Sequence, residues 1–261
     1  MASDAIVGSV VLRNGKPMPI IGFGTWQLRG GLVRAAVLRA LEVGYRHIDT
    51  ATLYKNEREV GCALAASGLR REQIFITTKL LSDAPSVRQA IERSLSDLQV
   101  DYVDLWLIHW PPPRATSRSM YREMLAARDE GLARAIGVSN YSIEEIDDLT
   151  EVTGDTPEVN QVPWSPFRHD HLWQRELDRR HVVLEGYSPL KGSRLDDPVL
   201  VDIAVAHGVT PAQVVLRWHV QHGIVVIPKS AQPDRIAENF DIFSFSLDAG
   251  SMSRLDELSS R

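Results

Sequence analysis

The chain alternates short apolar runs with longer segments in which apolar residues recur every three or four positions. Several of the short runs are continuously apolar, which is typical of parallel strands buried on both faces. The longer segments have the spacing of helices that pack one face against a sheet. The pattern predicts eight strands, at Pro19–Thr25, Tyr45–Asp49, Ile74–Lys79, Val103–His109, Ala133–Ser139, Glu158–Val162, Val182–Tyr187 and Ile224–Lys229.

Local signals support the predicted helices between these strands. Ser142 and Glu145 have the spacing of a capping box, as do Thr210 and Gln213. A third helix is predicted from a stripe of apolar residues that would face the sheet. This stripe consists of Val87, Ile91, Leu95 and Leu98.

Three polar residues end consecutive predicted strands at intervals of thirty positions: Asp49, Lys79 and His109. One strand, one helix and their connections use roughly 30 residues, so the interval is that of a βαβ unit. Tyr54 follows Asp49 and falls in the loop on the same side. In α/β barrels the chemistry lies at the C-terminal ends of the strands, where these four side chains would meet.

The repeat therefore predicts an α/β fold, a (β/α)8 TIM barrel formed by residues 1–261 as a single domain, with an N-terminal β-hairpin turning at Asn14 and Gly15. An open doubly wound sheet is the alternative, and it would need a glycine-rich first turn to bind a dinucleotide. Gln27 stands where the third glycine of that turn should be. The chain also lacks the glycine motifs of P-loop NTPases and serine hydrolases.

Composition narrows the class of protein further. The formal net charge of −5 argues against a nucleic-acid partner, which would need a basic face. No stretch approaches the ~18 apolar residues of a membrane span. Cys62 is the single cysteine, so no internal disulfide is possible and a reducing compartment is the simplest assumption. No predicted helix is apolar all round, which favours a monomer, and we expect a cytoplasmic protein that does not bind a membrane.

The four polar side chains at the strand ends suggest general acid catalysis. A free phenol has a pKa near 10, and a neighbouring ammonium favours its ionised form. Lys79, held by Asp49, would lower the pKa of Tyr54 by roughly 2–3 units and make it an acid for an oxygen that becomes an alkoxide. His109 would hydrogen-bond a substrate carbonyl and fix its orientation.

The residues around this set closely resemble the aldo-keto reductase signature, and the match runs from about Gly22 to Asn239. Among branches of the family, the chain is most similar to bacterial members related to diketogluconate reductases and prostaglandin F synthases. The matching runs are Tyr45–Ala51 (YRHIDTA) with Tyr54 and Asn56-Glu57, Gly137–Asn140 (GVSN), Tyr187–Leu190 (YSPL), Ile227–Ser230 (IPKS) and Arg235–Asn239 (RIAEN).

The resemblance implies a barrel that binds NADPH without a Rossmann fold and transfers hydride to an aldehyde or ketone carbon. By this resemblance the catalytic residues are Asp49, Tyr54, Lys79 and His109, with Tyr54 as proton donor. Ser139, Asn140 and Gln161 match positions that hold the nicotinamide carboxamide, and Tyr187 matches the aromatic residue that stacks on the ring. The remaining positions near the ring and the pyrophosphate are Thr25, Trp26, Ser188 and Leu190.

A separate group of residues is predicted to bind the adenine end of the expected cofactor. Lys229, Ser230 and Arg235 supply two cations and a hydroxyl where a helix begins, which suits a phosphate. We therefore expect NADP(H) rather than NAD(H). By resemblance, Glu238 and Asn239 contact adenine.

Two departures from the family concern the substrate side. Pro163 and Trp164 stand where relatives commonly carry an acidic residue and a tyrosine or leucine. Relatives also continue into a tail that covers part of the pocket, whereas here a helix is predicted at Ser251–Leu258 and a shortened C-terminal tail is expected. We expect an open pocket for a small-molecule carbonyl substrate. Its substrate-binding residues would be Trp26, Tyr54, His109 and Trp110, with Trp164 as a further candidate wall.

One histidine pair lies outside this constellation. His169 and His171 flank Asp170, but no cysteine or suitably spaced histidine nearby completes a zinc site. The sequence therefore predicts no metal.

Two other functions use the same residues. A cofactor-loaded regulatory subunit without turnover is similar to the channel-associated branch of the superfamily. An aldolase-like barrel would use Lys79 as a Schiff-base nucleophile. The Lys229–Arg235 cluster favours the reductase, although a phosphorylated aldolase substrate could use that cluster too.

Overall fold

A computed structural model of the chain describes residues 8–260. The strands are β1 (Ser9–Val11), β2 (Pro17–Pro19), β3 (Phe23–Gly24), β4 (His47–Asp49), β5 (Phe75–Leu80), β6 (Val103–Ile108), β7 (Ala133–Ser139), β8 (Val159–Pro163), β9 (Val183–Tyr187) and β10 (Val225–Ile227). The helices are α1 (Gly31–Val43), α2 (Glu57–Ala66), α3 (Val87–Leu98), α4 (Arg114–Asp129), α5 (Ile143–Thr153), α6 (His171–Arg179), α7 (Pro198–His207), α8 (Pro211–Gln221), α9 (Pro233–Phe240) and α10 (Ala249–Asp256). Short 3₁₀ turns lie at Thr52–Tyr54, Arg71–Gln73 and Glu257–Ser260.

Strands β3 to β10 form one parallel sheet in sequence order, and the sheet closes on itself. Ile21, just before β3, pairs in parallel with Val226 of β10, and the Gly22 N–H donates to the carbonyl of Val226 at 2.9 Å. The Gly24 N–H donates to the carbonyl of Pro228 at 3.0 Å. The predicted (β/α)8 barrel is therefore confirmed.

The first predicted strand, Pro19–Thr25, is divided between two sheets. Pro19 belongs to β2, which pairs antiparallel with β1 through Ser9, whereas β3 belongs to the barrel. The predicted hairpin is present, and Gly15 adopts the positive φ of 80° that its turn requires. The other seven predicted strands are found with ends shifted by no more than two residues.

Alternation along the strands separates two cores. In β6, Leu105 and Leu107 pack inside the barrel with Leu12 and Met18 of the hairpin, while Trp106 and Ile108 pack outward against the helices. Successive residues of a strand point to opposite faces, so inward-facing and outward-facing residues alternate along every strand of the barrel. The hairpin thus fills the N-terminal end of the barrel with apolar side chains.

Helix caps follow the predicted signals. Ser142 accepts from the N–H of Glu145, and the Glu145 side chain accepts from the N–H of Ser142, so the capping box is closed. Thr210 and Gln213 form the second predicted box. The predicted stripe of α3 is buried, and the predicted C-terminal helix is α10 with its following turn.

No single helix in residues 8–260 is long and apolar enough to cross a bilayer. Among these residues, only α7 and α8 taken together have the length and composition of a span, and the pair is bent by 87°.

Gly61 marks the closest approach between α2 and α3, and we predict that Gly61→Ala destabilises the protein. A methyl group there would lie 2.5 Å from the carbonyl oxygen of Asp97 and 2.7 Å from that of Leu98, both backbone atoms. The helices would have to separate, at a cost of about 1–3 kcal/mol. Urea unfolding measures this difference.

Gly31→Ala is the matched control, because nothing lies within 4 Å of the added methyl group and the residue opens α1. It should be neutral or stabilise by up to about 1 kcal/mol. Equal unfolding midpoints for the two variants would contradict the close approach.

Candidate active site

The four polar residues predicted at the strand ends lie together. Asp49 ends β4, Lys79 is the penultimate residue of β5, and His109 directly follows β6. Tyr54 ends the 3₁₀ turn after β4. Successive residues of a strand point to opposite faces. Ile48, next to Asp49, and Leu80, next to Lys79, belong to the outer core, so Asp49 and Lys79 point into the barrel.

The Lys79 ammonium uses all three of its hydrogens. It donates to Oδ1 of Asp49 at 2.6 Å, to the backbone carbonyl of Thr50 at 3.0 Å and to the Tyr54 hydroxyl oxygen at 3.3 Å. An ammonium group has three donors and no acceptor, so its capacity is filled. Because Tyr54 accepts this bond, its own O–H remains free to donate to another molecule.

The charge balance differs from the sequence prediction for Tyr54. Burial would lower the pKa of Lys79, but the charges of Asp49 and Tyr54 outweigh it and raise that pKa above its usual value. Burial raises the pKa of Tyr54, and the lowering by Lys79 is smaller and is opposed by Asp49. The prediction of a lowered pKa for Tyr54 is therefore wrong, since the sequence did not reveal how deeply the phenol is buried.

His109 is a neutral side chain beside the phenol. Burial, followed by the charge of Lys79, lowers the pKa of His109 to about 3. Its ring meets that of Tyr54 edge to face at 5.6 Å. A neutral imidazole carries one N–H, so His109 can donate one hydrogen bond to an oxygen in the cavity.

A buried carboxyl group that the sequence analysis missed, Glu185, extends the polar layer. Gln161 donates through Nε2 to Oδ2 of Asp49 at 2.8 Å and to Oε2 of Glu185 at 2.9 Å. Burial, and then the charge of Asp49, raises the pKa of Glu185. A charged residue at an inward position of the predicted strand Val182–Tyr187 was the signal that could have identified it.

A cavity of about 560 Å³ opens above this layer and includes Asp49, Tyr54 and His109 among its lining residues. Trp26 and Trp110 also line it and are 39% and 50% exposed, as expected of aromatic walls. Across the mouth, Nζ of Lys191 lies 4.8 Å from the centre of the Trp26 ring. The side chains of Trp26 and Lys191 therefore meet across the mouth of the cavity.

Two predicted contacts with this cavity are absent. Thr25 is fully buried, does not line the cavity and donates its hydroxyl to the backbone carbonyl of Asp49 at 3.0 Å, so it supports the site from behind. Trp164 is also buried, and its ring packs 5.8 Å from that of Trp173. Neither side chain forms a wall, because both are buried in contacts with other residues and do not line the cavity.

The residues matched to the nicotinamide end are held by one another. The Tyr187 hydroxyl donates to Oδ1 of Asn140 at 3.0 Å, and Nδ2 of Asn140 donates to the Ser139 hydroxyl at 3.0 Å. Both N–H groups of Gln161 are used by the two carboxyl groups below it. Its Oε1 is therefore the atom left to accept a bond from a ligand amide. All four residues line the cavity, as does Ser188.

A second cavity, of about 440 Å³, continues the first. Leu190, Lys191 and Lys229 line both. The second cavity ends beside the start of α9, where Gln232 provides no side-chain cap. Its walls contain the residues predicted for the adenine end, namely Ser230, Arg235, Glu238 and Asn239.

This elongated groove suits an extended anionic molecule. Lys229 lies where the two cavities meet, and Arg235 lines the second cavity. Both are exposed, and neither forms an ion pair with a residue in the described range 8–260. The uncapped N–H groups at the start of α9 add donors for an anion. The two adjoining cavities and the exposed cations beside them are therefore compatible with a phosphorylated dinucleotide.

Comparison with known proteins identifies the family. The model of the Aldo/keto reductase family matches residues 20–260. The chain belongs to the aldo/keto reductase family. As a family member it is an oxidoreductase that acts on carbonyl groups.

Relatives resemble this aldo/keto reductase over almost their whole length. "Methylglyoxal reductase DkgA" of Yersinia pestis is 44% identical over 91% of this chain and 88% of its own. The protein of the same name from Escherichia coli K12 is 43% identical over 95% and 93%. The crystal structure of an aldo/keto reductase from Brucella melitensis has a TM-score of 0.94 at 41% identity and covers 97% of this chain and 99% of that chain.

The Tyr54 phenol should titrate above the ordinary value of about 10, because burial outweighs the nearby ammonium. Below that pH it stays protonated, so phenolate appears only as the pH rises further. Ultraviolet difference titration of the wild type against Tyr54→Phe isolates this group. Circular dichroism at each pH verifies that the fold persists. A midpoint below 10 would mean that Lys79 dominates after all.

Proposed function

We propose that the protein reduces an aldehyde or ketone to an alcohol with NADPH, using Tyr54 as the proton donor. The observation that carries this proposal is the 3.3 Å hydrogen bond from Lys79 to Tyr54 beneath an open cavity. It leaves the phenol proton free and places a cation where negative charge would develop. This is the arrangement required of a general acid that protonates a carbonyl oxygen.

The continuous groove supports NADPH as the cofactor. Tyr187 would lie against the nicotinamide ring, Oε1 of Gln161 would accept from its carboxamide, and Ser188 and Leu190 would line the pyrophosphate. Lys229 and Arg235, unpaired within the described chain, would bind the phosphate that distinguishes NADPH from NADH. When bound, the cofactor supplies a hydride for the carbonyl carbon.

The chain's own residues would handle the proton and the oxygen. His109 donates its N–H to the carbonyl oxygen and fixes it near Tyr54. The Tyr54 O–H then passes its proton to the same oxygen as negative charge accumulates there. The phenolate that remains is stabilised by the hydrogen bond from Lys79, which Asp49 holds in position. No group has to move for this stabilisation, so little reorganisation energy is required.

The substrate side of the cavity suits a small or flat carbonyl compound. Trp26, Leu53 and Trp110 surround it with exposed apolar surface, and they leave the mouth open. Relatives named methylglyoxal reductase make 2-oxoaldehydes the first substrates to test. We therefore propose small aldehydes and dicarbonyls as the substrate class.

The aldolase alternative is disfavoured by the state of Lys79. A Schiff-base nucleophile must be a neutral amine with access to the substrate. Lys79 is fully buried, donates all three hydrogens and has a raised pKa because of Asp49 and Tyr54.

A regulatory subunit without turnover would need the same groove, and steady-state assays distinguish it from the reductase. A monomeric state and cytoplasmic location stay predictions.

Tyr54→Phe should lower kcat for methylglyoxal with NADPH by about 10²–10⁴-fold, because it removes the general acid but keeps the ring. NADPH binding, followed by fluorescence, should change little. Tyr102→Phe is the control, since that ring packs against Arg71 and Arg134 away from the cavity. Turnover unaffected by Tyr54→Phe would refute the assignment, and cofactor binding without any turnover in the wild type would favour the regulatory subunit.

Arg235→Ala should raise KM for NADPH by about 10–100-fold, because a charge-assisted bond to phosphate contributes about 1.5–3 kcal/mol. KM for NADH should stay nearly constant. Arg175→Ala, an exposed arginine on α6 outside both cavities, serves as the control. Equal losses for the two cofactors would exclude Arg235 from reading the extra phosphate.

A further inference from the structure

A second group of chemically active side chains lies outside the two cavities described above. His169 precedes α6, His171 is its first residue, and Asp256 is the last residue of α10. One potential ligand atom from each lies within 4.8 Å of the other two. None of the three residues lines either cavity. The sequence analysis predicted no metal because the third residue is 85 positions from His171.

The separations within the group suit a small cation. Two ligands that are ~2.0–2.1 Å from a tetrahedral zinc ion are about 3.4 Å apart. Nε2 of His171 lies 3.5 Å from Oδ1 of Asp256. The rings of His169 and His171 lie 4.5 Å apart between centres. Small side-chain rotations would therefore bring all three ligand atoms around one ion.

The hydrogen bonds of the two imidazoles leave the correct nitrogens available. Nδ1 of His169 donates to the backbone carbonyl of Pro166 at 3.1 Å, since a carbonyl oxygen only accepts. Nδ1 of His171 contacts Oε1 of Gln174 at 3.4 Å, which is also an acceptor. Both Nε2 atoms then carry lone pairs. That of His169 lies 3.5 Å from the Ser259 hydroxyl, which an ion would displace. Histidines that bind metals commonly have their other nitrogen fixed by an oxygen in this way.

The carboxylate is oriented by two further donors. Nε1 of Trp218 donates to Oδ1 of Asp256 at 2.7 Å, and Nε2 of His222 lies 2.9 Å from the same oxygen. Both contacts end on Oδ1, the oxygen that lies 3.5 Å from Nε2 of His171, so the ion would bind through Oδ2 after a rotation of the carboxylate. A metal-binding carboxylate is usually held by hydrogen bonds of this kind.

One buried atom in the group lacks a hydrogen bond. Nε2 of His171 is buried and has no hydrogen-bond partner among the described residues, although the side chain as a whole is 33% exposed. Buried polar atoms are normally paired, and an orphaned one calls for an explanation such as an ion. The partial exposure of His171 and Asp256 leaves a path from solvent.

We propose that Nε2 of His169, Nε2 of His171 and a carboxylate oxygen of Asp256 bind one Zn²⁺ ion, with water as the fourth ligand. Two imidazoles and one carboxylate form a ligand set that zinc accepts. Ca²⁺ and Mg²⁺ prefer oxygen ligands and fit this set poorly. The site is independent of the proposed carbonyl reduction, because it shares no residue with either cavity.

Zinc at this place would tie two distant segments together. The connection between β8 and α6 would be linked to the C-terminal helix α10 through one ion. Closing such a long loop stabilises the folded state, because it removes freedom that the unfolded chain would regain. The site would therefore be structural, and its occupancy should affect stability rather than turnover.

The test uses the full-length protein without an affinity tag, treated with a chelator and then dialysed. Calorimetric titration with Zn²⁺ should give one site per chain, and His169→Gln and His171→Gln should each weaken it at least about 10-fold. His207→Gln, which removes a half-buried histidine outside the group, should bind zinc like the wild type. No stoichiometric binding by the wild type, or equal affinity in the His171→Gln variant, would overturn the proposal.

Two further measurements keep the test independent of variant folding. Co²⁺ added to the wild type should give the visible absorption of a tetrahedral ion, and its absence or an octahedral spectrum would contradict the site. Zn²⁺ should raise the Tm of the wild type and of His207→Gln, but not that of His171→Gln. Carbonyl reductase activity should be the same in all three proteins, and this readout separates the metal site from the proposed function.

Discussion

The ammonium group of Lys79 is fully buried inside the barrel, 2.6 Å from Oδ1 of Asp49. A charge in that position is tolerated only if its hydrogens are all used and its partner is fixed, because removal from water is costly. The backbone carbonyl of Thr50 and the hydroxyl of Tyr54 complete the set of acceptors. The need to give the buried Lys79 ammonium a third acceptor therefore determines where the Tyr54 hydroxyl lies. Residues behind it serve the same end, since the Thr25 hydroxyl is bonded to the backbone of Asp49.

The barrel interior can hold this pair because it is divided along its axis. The hairpin residues Leu12 and Met18 pack with inward-facing strand residues, and so they place an apolar layer between the charges and the N-terminal end of the barrel. Further along the strands the inward positions become polar, and Gln161 links Asp49 to Glu185. Burial keeps Glu185 nearer its neutral form, because its pKa is raised. The layer thus holds a single close ion pair of Lys79 and Asp49, with neutral groups around it.

The sequence predicted the barrel, its hairpin and the caps of α5 and α8, because each depends on residues close together along the chain. Asp49, Lys79 and His109 were predictable for a related reason, since parallel strands bring their C-terminal ends to one edge. What the sequence did not show depends on burial and on contacts between distant segments. Thr25 and Trp164 were expected at the cavity but are buried and do not line it, and only their solvent exposure reveals this. The direction of the Tyr54 pKa shift likewise depends on burial, and the pairing of Asp256 with His171 is a contact between distant segments.

Burial favours the neutral form of both His109 and Tyr54. It lowers the pKa of His109 to about 3 and raises that of Tyr54, so each keeps its hydrogen through the neutral range. An acid with a raised pKa is intrinsically a weaker proton donor. Tyr54 without further help would therefore be a weak acid for the proposed reaction. A carbonyl oxygen that gains negative charge becomes strongly basic, and transfer to it is then downhill even from a weak acid. In the proposed reduction, Lys79 would therefore stabilise the phenolate at the moment of transfer rather than ionise the phenol beforehand.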